Sequence, residues 1–170
     1  MSLSRQSFNV LFVCTGNQCR SPMAQGILDA LLKKKKIPFL RADSAGTYAL
    51  YGYSPSEEAV ALSMEHGVDI ARYRSKPISP QLLDESDLIL VMGRIHQAAV
   101  LQMAPNAVNK VFLIKSFGRD GTDPDAPGEI ADPIGGDREE YIRCFEELNR
   151  EVERVFPLVK KMANQKNSDA

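Results

Sequence analysis

Cysteine is scarce: the 170 residues hold three, Cys14, Cys19 and Cys144. That odd number is too few for the disulfide framework of a small secreted domain, so a reducing, cytoplasmic compartment is expected. No run approaches the eighteen apolar residues of a membrane span, and Met1 to Ser7 is polar without the apolar core of a secretory leader. No membrane partner is expected. Charge of one sign is also missing, since 21 Lys and Arg face 22 Asp and Glu for a formal net charge of −1, and nothing in that balance points to nucleic acid. No G-x-G-x-x-G follows the first strand candidate, which argues against a binding-only dinucleotide or flavodoxin-like module.

What the chain does have is 44% apolar residues over a length suited to one domain with a proper core. The reading is one domain over residues 1–170, ordered over about 8–160, with a flexible tail over 164–170. One stretch organises it. Asn9-Val10-Leu11-Phe12-Val13 is apolar and β-branched, Cys14 to Arg20 is a short loop containing Gly16, and Ser21-Pro22 opens a helix with Met23, Ile27 and Leu31 spaced four apart. A strand, a turn and a helix follow one another.

The turn carries a thiol at Cys14 and a guanidinium at Arg20. A loop of this length can turn its backbone N–H groups toward one centre, and the helix N-terminus adds partial positive charge to the same place. An anion belongs there, and the same field favours the sulfur anion of Cys14 over the thiol.

Further along, Ser21-Pro22 reads as an N-cap followed by Pro at the first helical position, with the helix running to about Lys36 and Lys33 to Lys36 complementing its negative end. Phe39 to Asp43 reads as a second strand, parallel to the first. Ser44 to Tyr53 reads as a loop at the strand's C-terminal edge, where open α/β sheets bind ligands. Tyr48, Tyr51 and Tyr53 crowd this loop, and Tyr48 or Tyr51 can wall a slot for an aromatic ester.

Ser54-Pro55-Ser56-Glu57 reads as a capping box opening a helix that ends near His66-Gly67. Ser79-Pro80 caps another short helix, Asp87 to Met92 is a central parallel strand, Gly93 to Met103 a helix, and Lys110 to Ile114 a fourth strand. Lys115 to Pro133 is a Gly-, Pro- and Asp-rich loop. The last helix begins at about 136–138, with Tyr141, Phe145, Leu148, Val152, Val155 and Val159 on one seam, a kink or end at Pro157, and Cys144 beside the seam as inert filler or surface. Four strands alternating with helices make a three-layer α/β sandwich with a parallel sheet.

Val13-Cys14-Thr15-Gly16-Asn17-Gln18-Cys19-Arg20-Ser21-Pro22 resembles the signature of the low-molecular-weight protein tyrosine phosphatases, and the resemblance extends from about Val10 to Phe156. It implies a sheet in the order 2-1-3-4 with helices on both faces. It also implies hydrolysis of phosphotyrosine and small aryl phosphates in phosphorylated proteins, through a cysteinyl phosphate on Cys14, without metal or other cofactor. The amides of Thr15, Gly16, Asn17, Gln18, Cys19 and Arg20, with the Arg20 fork, would hold phosphate, vanadate or sulfate. Monomers or weak dimers are expected.

The leaving oxygen needs a proton, and composition leaves Asp120, Asp123, Asp125, Glu129 and Asp132 as donors. The resemblance selects Asp132 through Asp132-Pro133 just before the last helix. It further implies that Ser21 donates to the thiolate, that Asn17 holds the loop, and that Ser44 and His66 steady Asn17. Cys19 is placed to trap an oxidised Cys14 as a disulfide.

Two positions depart from the tyrosine-phosphatase pattern: Gln18 replaces an aliphatic residue, and Ile134, expected in the substrate wall, replaces an aromatic one. The protein arginine phosphatases, a branch with Thr at the position of Gln18, are therefore the alternative, since the Gln18 amide oxygen can accept from a phosphoguanidinium N–H. Thiol-linked arsenate reductase shares the fold and the anion loop, but only Cys144 remains to relay its disulfide.

Overall fold

The computed structural model describes residues 6–120 and 128–169; Asp123 and Asp125 lie outside them. In chain order the elements are β1 (Phe8–Cys14), α1 (Arg20–Lys35), β2 (Leu40–Gly46), α2 (Glu57–Glu65), α3 (Pro80–Glu85), β3 (Leu88–Val91), α4 (Arg94–Met103), β4 (Val111–Leu113) and α5 (Arg138–Ser168). The four strands form one parallel sheet in the order β2-β1-β3-β4, as expected. None of the described helices is long and apolar enough to cross a membrane.

The period of two along β1 divides the core. Phe8, Val10, Phe12 and Cys14 pack with α1, α2 and α5 on one face, whereas Leu11 and Val13 pack with Leu83 of α3 and Val100 of α4 on the other. Both faces are covered, which is why the central strands read as unbroken apolar runs. Cys14 thus ends a buried strand at the C-terminal edge of the sheet, with its sulfur on the α1 and α5 side.

Several boundaries differ from the sequence reading. Strand β2 continues through Ser44-Ala45-Gly46 because its pairing with β1 runs to the register Cys14↔Gly46; ladder bonding overrides the poor strand propensity of Ser and Gly. Ser56, not Ser54, caps α2, its hydroxyl accepting from Ala59 N at 3.3 Å. Helix α1 begins at Arg20 with Cys19 at its N-cap, so Ser21 is inside the first turn and is not a cap. Pro22 then occupies the third helical position, where its missing N–H has no helical acceptor to lose.

Helix α5 does not end at Pro157 but runs on to Ser168, with Pro157 inside it. Pro157 faces solvent, and the apolar seam on the opposite side, including Val159 and Ala163, keeps the helix packed. Residues 164–168 are correspondingly helical rather than a loose tail. Lys166 Nζ donates to Asp87 Oδ1 at 2.7 Å and to Ser7 O at 3.0 Å, and Asn167 Nδ2 donates to Gln6 O at 3.2 Å. Cys144 is buried on this helix as filler, and burial pushes its thiol up to about 12.

Gly46 shows how closely the sheet edge approaches the loop after β1. A Cβ there would lie 2.3 Å from Thr15 O and 3.0 Å from Asn17 N, both backbone atoms. Gly46→Ala is therefore expected to lower stability by about 1–3 kcal/mol through overpacking and to distort the loop. Thermal melting and phosphate binding test this, and an alanine variant normal in both would show that the loop has room to move.

Candidate active site

The segment from Cys14 to Arg20 joins the C-terminal end of β1 to the first turn of α1. Asn17 takes the left-handed conformation at φ 56°, which asparagine tolerates better than most residues with a Cβ. Its side chain spans the inside of the turn: Nδ2 donates to Ser21 Oγ and to Ser44 Oγ, both at 2.9 Å, and Oδ1 accepts from Lys76 N at 3.0 Å. The Asn17 side chain thus ties the loop to α1, to β2 and to the segment between α2 and α3. Outside, Thr47 N donates to Cys14 O, Tyr48 N to Thr15 O, and Ser56 N to Gln18 O.

With its shape held from outside, the loop leaves its own donors free. None of the N–H groups of Thr15 through Arg20 meets an acceptor among the described residues. Six consecutive free N–H groups are uncommon so close to a protein core, since buried amides are ordinarily paired. Four of the residues bearing them, Gly16, Gln18, Cys19 and Arg20, line a cup of about 20 Å³ together with Cys14, Asp132 and Ile134.

Cys14 is buried, and its Sγ lies 2.9 Å from Ser21 Oγ. Arg20 is also buried; Nη1 donates to Ile130 O at 3.1 Å and Nη2 to Asp132 Oδ2 at 3.0 Å. Its Nε has no hydrogen-bond partner among the described residues. Asp132 is 40% exposed at its side chain, so it borders both the guanidinium and solvent, and its Oδ1 accepts from Ile134 N at 3.2 Å. The segment bearing it is anchored behind: Ile130 N donates to Met92 O, and Glu129 Oε1 accepts from Arg94 N at 2.7 Å.

Cys19 has its Sγ 3.3 Å from Ser56 Oγ and 3.5 Å from Tyr141 OH. Burial, followed by weaker opposing contacts from those hydroxyls, raises the Cys19 thiol above its ordinary value. The same burial pushes Tyr141 up to about 12. Cys14, Cys19 and Cys144 are all free thiols.

His66 does not join the Asn17 network. Its Nδ1 lies 2.9 Å from Leu62 O, and its ring packs on Phe145 with centroids 4.5 Å apart. It closes α2 and is itself exposed, lying over Phe145. The histidine at the site is His96 of α4, 1% exposed, whose Nε2 lies 2.9 Å from Thr15 Oγ1. Nothing local in the sequence marked it, because its approach depends on the β1–β3 pairing. Glu129, counted by composition among the acids, caps α4 instead. Tyr48, Tyr51 and Ile134 are largely exposed; Ile134 borders the cup, whereas the tyrosines stand on the neighbouring loop. Ser75 holds that loop through Gly52 N, Tyr53 N and Leu50 O.

Among the described residues, no group of three or more His, Cys, Asp and Glu is arranged to hold a metal ion. The family model for low molecular weight phosphotyrosine protein phosphatase matches residues 9–167. The chain belongs to this family. Among curated relatives of this phosphatase, a protein-arginine-phosphatase from Geobacillus stearothermophilus is 37% identical over 148 residues, 87% of this chain and 93% of the relative. A crystal structure of a low molecular weight protein tyrosine phosphatase from T. tengcongensis is 38% identical with a TM-score of 0.79, covering 89% of this chain and 99% of that one. A mutant arginine phosphatase with a phosphorylated active-site serine is 26% identical with a TM-score of 0.81, covering 91% and 97%.

Proposed function

We propose that this family member is a cytoplasmic protein phosphatase that removes phosphate from phosphotyrosine and from small aryl phosphates through a phosphocysteine on Cys14. The observation that carries the reading is the run of six consecutive loop N–H groups without an acceptor among the described residues, beginning directly after a buried sulfur that lies 2.9 Å from the Ser21 hydroxyl. A phosphoryl group brings up to two negative charges and three acceptor oxygens to such a cup, and Arg20 Nε and Nη2 offer a fork beside it.

Cys14 Sγ attacks phosphorus, the S–P bond forms as the P–O bond to the leaving group breaks, and Asp132 protonates the departing oxygen. Water then attacks phosphorus, Asp132 takes its proton, and the S–P bond breaks to release phosphate. The Ser21 hydroxyl stabilises the returning sulfur anion. No step calls on a metal.

Tyr48, Tyr51 and Ile134 form the wall for an aromatic ring in this reading; their exposure and the Ser75 anchors keep apolar surface ready beside the cup. A second reading, hydrolysis of phosphoarginine, is favoured by Gln18. Its Nε2 donates to Ser54 O at 3.1 Å, and since a carbonyl only accepts, the amide is oriented with Oε1 on the Gly16 side of the cup mouth. That oxygen suits a guanidinium N–H.

Turnover of 4-nitrophenyl phosphate and of matched phosphotyrosine and phosphoarginine peptides tests both readings. A higher kcat/KM for phosphotyrosine, moving toward phosphoarginine in Gln18→Thr, supports the first. A strong preference for phosphoarginine replaces it by the second, and no turnover of any of the three removes both.

Cys19 is also the proposed partner of Cys14 under oxidation: peroxide converts the Cys14 thiolate to a sulfenic acid, and the Cys19 thiol displaces water to form a disulfide. Activity that a dithiol fails to restore after peroxide would argue against the pair.

A further inference from the structure

The buried His96 has no part in the steps above, yet it touches the loop. Burial and the nearby Arg20 charge hold its imidazole down to about 4, against smaller opposing effects from Glu129 and Asp132, so it is neutral at pH 7. A neutral ring has one N–H. Nδ1 is buried without a partner among the described residues, and an orphaned N–H is rarer in proteins than an orphaned lone pair, which places the hydrogen on Nε2, donating to Thr15 Oγ1 at 2.9 Å.

The same Thr15 oxygen lies 3.5 Å from Arg20 Nη2. The guanidinium therefore has three anchors: Ile130 O on Nη1, Asp132 Oδ2 on Nη2, and Thr15 Oγ1 on the outer side of Nη2. In the reaction proposed above, Asp132 must turn from Arg20 to the leaving oxygen. Two anchors then remain, and His96 orients one of them.

We infer that His96 is a positioning residue which, through Thr15 Oγ1, keeps the Arg20 guanidinium in the plane that receives the phosphoryl oxygens. The inference rests on the proposed phosphatase reading. It assigns His96 no contact with substrate and no proton transfer. Losing one oriented hydrogen bond of this kind weakens binding of the group it orients by about tenfold.

The test compares His96→Leu, which keeps volume without a donor, with His96→Gln, whose amide donates from a similar place. Inorganic phosphate binding to each is measured by calorimetry, so the result is independent of turnover. The expectation is about tenfold weaker phosphate binding in His96→Leu and recovery to within about threefold of the parent in His96→Gln. In steady-state assays of 4-nitrophenyl phosphate, KM rises in parallel while kcat changes less. Thr15→Val reproduces the loss, and the double variant with His96→Leu is no weaker than either single one.

Unchanged phosphate affinity in a folded His96→Leu protein overturns the inference, as do losses that multiply in the double variant. If His96→Leu fails to fold, Thr15→Val and His96→Gln decide: normal phosphate binding in Thr15→Val overturns the inference. A parent protein that binds phosphate but turns over no phosphoester would instead overturn the proposed function and leave the binding comparison intact.

Discussion

Cys14→Ser is expected to lower turnover of 4-nitrophenyl phosphate by about five powers of ten or more. The substituted oxygen would stand where the sulfur stands, at the end of β1 beside Ser21 Oγ, but a serine hydroxyl is far less acidic than a thiol and needs a base to remove its proton. No base bonds to Cys14 Sγ among the described residues: Ser21 is another hydroxyl, His96 is engaged with Thr15, and Asp132 accepts from Arg20 Nη2 and Ile134 N. The free loop N–H groups and Arg20 are untouched by the change, so phosphate binding is expected to persist. Rates from steady-state assays and affinity from calorimetry check the two halves, and a loss smaller than about tenfold would show that sulfur is not the nucleophile.

Asp132→Asn is expected to lower kcat by about two to four powers of ten while phosphate still binds. Asparagine offers one acceptor oxygen where the carboxylate offers two, so it accepts from Ile134 N or from Arg20 Nη2 but not from both; the loop N–H groups are untouched, and the amide carries no acidic proton to give. The loss should shrink for esters whose leaving groups need little protonation, such as 4-nitrophenyl phosphate, and be largest for phosphotyrosine. An Asp132→Asn enzyme with normal rates on both, together with a damaged Asp123→Asn, would transfer the acid role to Asp123.

The loop from Cys14 to Arg20 was legible because its chemistry is contiguous. One strand, one turn and one helix start bring the sulfur, the amides and the guanidinium together without help from distant chain. The parallel sheet also followed, since four apolar segments alternate with helices, whereas the strand order 2-1-3-4 came from the family resemblance and not from the pattern. Residues delivered by tertiary packing were harder to read. His96 is 81 residues from its Thr15 partner and reaches it only because β3 pairs with β1, whereas His66 sits near α2's end in the position that resemblance favoured and yet packs on Phe145.

Capping was misplaced for a related reason. Ser21 carries the sequence signs of an N-cap, but the competing contacts with Cys14 Sγ and Asn17 Nδ2 place its hydroxyl inside the loop. Ser54 was chosen over Ser56 on spacing, while the Gln18 backbone and side chain determine the path there: Ser56 N donates to Gln18 O and Ser54 O accepts from Gln18 Nε2. At α5, side chains facing solvent at Pro157 and facing core at Val159 decide that the helix continues.

The central claim is that sulfur takes the phosphoryl group directly, and trapping that bond tests it. Acid quenching of the enzyme during turnover of an aryl phosphate, followed by mass analysis of its peptides, should find phosphate on the peptide containing Cys14, with its attachment on sulfur and its amount abolished in Cys14→Ser. Turnover at full rate with no adduct on that peptide, or with phosphate on Ser21 instead, would contradict it.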